Sequence, residues 1–395
     1  MREVSQKAYV DNGELSRWER GLARPHADHV RAIDEVLGAN GQLVAIRALV
    51  VDMERLAGST IENEPSIRNE EDAVERRRLL RLAVAGIGTL GISGEPIRRL
   101  LDLSLDEGFR SVEDWNLACA DHLHALRTRP PEQVAADLVV DLFTLRRQLE
   151  GSAPAEAPGL QRVIAVLSNL QANRMTCLGQ HGSAIRWSQT ARRAADASGD
   201  LETRVLVRAE EAAGGLYGQR TEKTILHLLG EAERLAGKPS LTLLATRAKA
   251  LSLSGRHDEA RQTLNALLDL AEKGVSGDSF GFWTASQVHF AESWVYAGAG
   301  DETKADTARD NTLRITGSHQ YQMNVRLHEA LCAVVNGGVE EGMRRAVAVI
   351  DSLPADRRDT YIIETGQMVL RAVPFERRNR PVVGEFRKVL GAGVL

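Results

Sequence analysis

The sequence predicts an all-α protein. Ala, Leu, Arg and Glu recur along all 395 residues, aromatics make up only 4%, and there are 11 prolines, so strong helix formers dominate and strand formers are scarce. Hydrophobic residues at 43% and charged residues at 26% match ordinary soluble domains, which argues against wholesale disorder and against collagen-like or low-complexity polymers. At roughly 150 residues per domain the length suggests two or three domains with ample core.

The 50 Lys and Arg residues against 54 Asp and Glu leave a net charge of −4, so any contact with DNA has to be local. Cys119, Cys177 and Cys332 lie far apart and form no CxxC pair, which predicts neither a disulfide framework nor a zinc ribbon and fits a reducing cytoplasm. Near the first hundred residues the longest uncharged stretch, Leu82 to Gly94, is shorter than the roughly 20 residues of a span, and no apolar leader follows Met1. A cytoplasmic protein without a membrane partner is expected.

Residues 1–57 read as short helices punctuated by Gly and Pro, a small head ending in the apolar run Gln42 to Leu56. Residues 58–75 are polar, acidic and proline-interrupted, and predict a linker. Residues 76–160 predict a helical connecting or effector region and 161–395 a helical repeat domain; from Glu75 onward the helical segments break at Gly94 to Pro96, Pro130 to Pro131, Gly151 to Gly159, Gly199, Gly237 to Pro239, Gly274 to Gly277 and Pro354. That spacing implies paired helices.

Small or apolar residues recur in a fixed order: Leu244, Ala248, Leu251, Gly255, Ala260, Leu264 and Leu267, then Gly300 and Ala305, then Gly337, Gly342, Ala346, Val349 and Pro354. An earlier copy runs through Ala172, Gly179, Ala184, Ala191 and Ala195, and a degenerate one centres on Gly218. Two antiparallel helices approach closely only where small side chains face each other, with Gly at the turn between them. From Ala184 through Ala260 and Ala305 to Gly342 the steps are 76, 45 and 37 residues, compatible with units of about 34 plus insertions. Over residues 165–356 the pattern resembles the tetratricopeptide repeat (TPR), which implies an α-solenoid of stacked antiparallel helix pairs; a generic bundle with alanine-rich contacts is the alternative.

Residues 10–43 carry the most specific stretch. Asp11 is placed to cap a helix starting at Asn12, Leu15 and Trp18 supply a stripe to bury, Gly21 suits a left-handed stop, and Pro25 opens a helix with Val30, Ile33 and Leu37 on one face. The string Leu15, Ser16, Arg17, Trp18, Glu19, Arg20, Gly21, followed by Pro25, resembles the end of the recognition helix in lambda-repressor-like (XRE-type) helix-turn-helix domains. Only Arg2 to Tyr9 precede the turn, so a truncated head is expected, and Tyr9 stands where the family usually has a turn glycine. The resemblance implies that Asn12, Gly13, Ser16 and Arg17 face base edges, with Arg17 suited to guanine and Asn12 to adenine, while Arg20 and Arg24 meet phosphate. Residues 1–57 hold eight basic and nine acidic residues, so nonspecific affinity should be modest. The later segments ERRRLLRLAVAGIGTLG, SVEDW and RTRPPEQVAADLVVDLFTLRRQL extend the likeness to actinobacterial helix-turn-helix regulators with a C-terminal TPR domain.

Other motifs point elsewhere. Gly86-Ile87-Gly88-Thr89-Leu90-Gly91 matches GxGxxG, but Gly94-Glu95-Pro96 breaks the helix that dinucleotide binding needs. Arg76-Arg77-Arg78 imitates a twin-arginine export signal, yet its internal position predicts a basic helix end. His122 and His124, two apart, point to different helix faces and are expected as core or surface residues. No HExxH or Walker A string occurs. The expectation is a non-enzymatic transcriptional regulator without a cofactor, a homodimer on operator DNA. The runner-up is a non-catalytic TPR interaction module with a vestigial head. In the register set by Gly179, Gly218, Gly255 and Gly300, groove positions hold Asn169, Asn173, Arg208, Lys249, Gln287 and Trp294, expected to receive a peptide, protein or small-molecule effector. Otherwise the asparagines bond neighbouring helices and the tryptophan is core.

Overall fold

The computed structural model describes residues 7–19, 25–37, 47, 110–274, 280–354 and 357–391, and among these there are helices and turns and no strand. The chain divides into two compact units, 1–85 and 86–395. The expected linker 58–75, the 86–91 glycines and the three arginines at 76–78 lie outside the described residues.

In the first unit, α1 (Asn12–Glu19) and α2 (Ala27–Leu37) pack through a small apolar cluster. Asp11 caps α1 as expected, its carboxylate accepting from the amides of Gly13 at 2.8 Å and Glu14 at 3.1 Å. Ala8, Val10 and Leu15 are buried, and Trp18, Ala32, Ile33 and Val36 close over them. Tyr9 takes the left-handed conformation, φ +52°, with its ring in solvent. The backbone thus makes the turn for which a glycine is customary, and tyrosine keeps the steric cost of its β-carbon.

The second unit opens with α3 (Val112–Thr128) and α4 (Pro131–Gly151), both packed on α5 (Ala157–Cys177). Trp115 is the centre of their core, its indole N–H donating to Gln148 Oε1 at 2.8 Å, and Ser111 with Asp114 forms a capping box at the start of α3. α3 and α4 lie in the same compact unit as the helix pairs that follow. His122 is buried 2.6 Å from Asp141 and His124 is exposed, the separation of faces that their spacing predicts.

Six hairpins follow: α5 with α6 (His181–Ser198), α7 (Leu201–Gly214) with α8 (Glu222–Ala236), α9 (Leu241–Leu253) with α10 (His257–Glu272), α11 (Ser286–Gly298) with α12 (Glu302–Ile315), α13 (His319–Val335) with α14 (Val339–Asp351), and α15 (Thr360–Arg371) with α16 (Pro381–Gly391). In four of them one turn recurs. The Gly179, Gly255, Gly300 and Gly337 amides donate to Thr176, Ser252, Ala297 and Val334 carbonyls, and the next amide in each case, Gln180, Arg256, Asp301 or Gly338, donates to Met175, Leu251, Tyr296 or Ala333. This pair of bonds satisfies the last carbonyls of the helix and requires a left-handed residue, here glycine at φ between +69° and +90°. The small residues of the second helices, Ala184, Ala260, Ala305 and Gly342, are all buried against their partners.

The first helix of each pair packs on the first helix of the next, from α5 through α7, α9, α11 and α13 to α15. This inner layer also returns on itself: α15 touches α5 and the segment Gly215–Gln219 that ends α7.

Packing separates two glycines that lie inside helices. A methyl at Gly342 would sit 2.7 Å from the Ala330 carbonyl oxygen and against the Val334 side chain, whereas at Gly230, in the middle of α8, it meets nothing within 4 Å. Gly342→Ala is expected to destabilise by about 1–3 kcal/mol through overpacking. Gly230→Ala is expected to stabilise by about 0.5–1 kcal/mol. Urea unfolding of both variants measures the contrast.

Candidate functional site

The inner helices bring a group of aromatic and polar side chains together. Trp294 of α11 is fully buried, with Tyr217 edge-on at 5.8 Å, Phe290 at 6.2 Å and His328 of α13 edge-on at 5.4 Å. Phe290 stacks on Tyr321 at 4.4 Å, and Tyr217 meets Tyr361 of α15 edge-on at 4.5 Å. Lys249 of α9 places its ammonium 5.7 Å from the Phe290 ring and 5.8 Å from Trp294.

Burial governs the electrostatics. The Lys249 ammonium loses hydration, which lowers its pKa to about 8 against the pull of Glu210. Burial, and then the Lys249 charge, push the His328 imidazole down to about 3, so it is neutral throughout the physiological range. Its Nδ1 lies 3.0 Å from Ser293 Oγ. A base this weak does little to activate a hydroxyl, so the Ser293 and His328 pair reads as a structural bond rather than a nucleophile with its base. Burial likewise raises Tyr321 to about 12 and Tyr217 and Tyr361 well above the usual phenol.

Several interior polar atoms have no hydrogen-bond partner among the described residues: both amide atoms of Asn324, Nε2 of His328, Nε1 of Trp294 and Nδ2 of Asn169. Asn324 and His328 are four apart and share a face of α13. Buried polar groups are nearly always paired, and leaving one unpaired costs about 1–3 kcal/mol.

The expected groove residues divide. Lys249 and Trp294 come together, while Gln287 lies beside the Tyr321 hydroxyl and donates to the Phe282 carbonyl at 3.3 Å. Trp294 is core, enclosed by three rings, rather than a platform on an open groove. Asn169 is buried in α5, and Asn173 accepts from Arg174 Nη2 at 2.6 Å, so the two amides do not act as a free pair. Arg208 points to α6 instead, where its Nη2 meets the Asp196 carboxylate at 2.8 and 3.0 Å. Glu210, two residues on and about 200° around the helix, is the residue that faces Lys249. Sequence reasoning passed over Tyr217, Phe290, Tyr321, Asn324, His328 and Tyr361; three of the chain's five tyrosines are among them, and their rarity was the available signal. In the head, Gly13 and Arg17 are exposed on α1; the side chains of Asn12 and Ser16, and all of Arg20 and Arg24, lie outside the described residues.

The sequence matches no protein-family model and no curated protein, and no solved structure matches it.

Where α15 meets α5, Asp359 caps α15 through the Ile362 amide at 3.0 Å and accepts from the Cys177 thiol. Burial raises its carboxyl from 3.8 to about 6, despite the neighbouring Arg174. The folded state therefore holds this proton more tightly than the unfolded chain. Its contribution is most favourable below about pH 4, falls as pH rises to 6, and is constant above that, a span on the order of 3 kcal/mol. Asp359→Asn keeps both bonds and is expected to flatten the pH dependence of unfolding free energy between pH 4 and 7, measured by urea titration.

Proposed function

We propose that the chain is a DNA-binding transcriptional regulator: a helix-turn-helix head presents α1 to the major groove, and a TPR-like stack of helix pairs receives a peptide, protein segment or small effector. The observation that carries the reading is the turn and helix of residues 7–19. The left-handed turn at Tyr9, the burial of Leu15, and the exposure of Gly13 and Arg17 are the local features that a recognition helix needs. The recurring glycine-closed hairpins support the TPR-like reading. The unpartnered atoms of Asn324, His328, Trp294 and Asn169 favour an effector with its own donors and acceptors, admitted when the α5 and α15 contact parts. No catalytic step and no cofactor are assigned.

The balance of charge in residues 1–57, eight basic against nine acidic, favours the second reading, an interaction module with a vestigial head. One experiment separates the two: selection of duplexes from a random pool by the full chain, followed by fluorescence anisotropy. The regulator reading expects a two-fold-related site bound by a dimer. Arg17→Ala is expected to cost about 1–3 kcal/mol and relax one base position, and Arg20→Ala to weaken all sequences alike. Failure to enrich any sequence, or unchanged affinity in Arg17→Ala, rejects the recognition-helix assignment.

A further inference from the structure

Away from the aromatic cluster, helices α6, α7 and α8 border an open surface recess of about 220 Å³, lined by Arg192, Arg204, Arg208, Arg234, Glu231 and Leu235. Four guanidinium groups thus share one recess with a single lining carboxylate. Like charges collected this closely repel one another, and a folded chain keeps them there when other groups hold them or when an anion is to be received.

The holding groups are identifiable. Both Asp196 oxygens accept from Arg208 Nη2, at 2.8 and 3.0 Å, and one of them from Arg204 Nε at 3.0 Å, while Arg208 Nη1 donates to the Arg204 carbonyl at 3.0 Å. Glu211, its side chain only 3% exposed, pairs with Arg192 at 3.3 Å and with Arg220 at 2.6 Å. Arg192 also reaches Glu231 at 3.9 Å, and that carboxylate lies 3.6 Å from His227. These contacts orient the guanidiniums without neutralising them. Five arginines (Arg192, Arg204, Arg208, Arg220, Arg234) stand against three carboxylates (Asp196, Glu211, Glu231), an excess of two positive charges in a chain whose net charge is −4. Arg234 forms no ion pair among the described residues; its Nε donates to the Gly230 carbonyl at 3.1 Å, leaving both terminal amino groups for a ligand.

Size narrows the ligand. Pockets that enclose a whole small molecule run to roughly 300–1,000 Å³, so this hollow suits one charged group rather than an entire ligand. Planar forks that donate paired N–H groups match the oxygens of a tetrahedral oxyanion, and an excess of two charges matches a phosphate dianion. We infer that the recess formed by Arg192, Arg204, Arg208 and Arg234 binds a phosphate group, either as the free ion or as the terminal phosphomonoester of a small molecule. The site is separate from the inner-layer cluster and does not depend on the reading of the head.

The test is isothermal titration calorimetry of the full chain with inorganic phosphate and with glycerol phosphate, at constant ionic strength set by sodium chloride. Saturable binding of either is expected, and the tighter of the two identifies the source. Arg234→Gln, which disturbs no ion pair, is expected to weaken the preferred ligand about tenfold, and Glu231→Gln, which removes the lining carboxylate, to tighten it severalfold. A purely structural cluster predicts no gain from the second change. The inference is overturned if neither phosphate binds beyond a chloride control, if both variants bind like the parent, or if only duplex DNA binds.

Discussion

The second unit depends on how its inner helices end. A helix leaves its last carbonyls unsatisfied, and when the chain must reverse at once against a partner there is no room for water or side chains to satisfy them. One left-handed residue solves both problems, because it turns the backbone and brings two amides onto those carbonyls. With Gly179, Gly255, Gly300 and Gly337 in this role, the same pair of backbone bonds closes each of these four turns. Ala184, Ala260, Ala305 and Gly342 then let the second helix lie close, and successive pairs can stack.

That regularity made much of the fold legible. The helical composition, the pairing, the turn glycines, the small residues opposite them, the Asp11 cap and the inward Leu15 and Trp18 all follow from local chemistry that needs no tertiary information. The candidate site was harder, and Arg208 shows why. Most inner helices end two residues before their turn glycine, but α7 ends at Gly214, four before Gly218, because Gly215–Gln219 forms a wider π-type turn in which Tyr217 leaves helical geometry. Counting back from Gly218 therefore runs two residues out of phase, which on a helix is most of the way to the opposite face. Lys249 and Trp294 each lie six residues before a turn glycine of the common form, and both reach the cluster. Burial of Trp294, the alternative the sequence left open, rests on neighbours from other hairpins: Tyr217, Lys249 and His328.

The interior combines two kinds of demand. Aromatic rings from Gly215–Gln219, α11, α13 and α15 bury apolar area and fix the spacing of these inner segments through edge and stacked contacts. Among them lie a lysine with a lowered pKa, a neutral histidine and an asparagine, groups that the same burial makes expensive. A core selected for stability alone would place hydrocarbons there. Retaining Asn324 and His328 on one face of α13 gives the unit polarity at its centre, where a change in pairing would be felt by helices on both sides.

The contact between α15 and α5 alters how the whole stack responds to stress. In an open array each repeat touches only its neighbours, and the ends fray while the middle persists. Here the last hairpin lies against the first, with Thr360 beside Gly179 and Glu364 beside Gly218, so there is no free inner end at which unravelling can begin. Loss of the final hairpin would uncover α5 as well as α13. Such a closed circuit makes the six pairs rise and fall together, and it converts a disturbance at one seam into a change experienced by every pair.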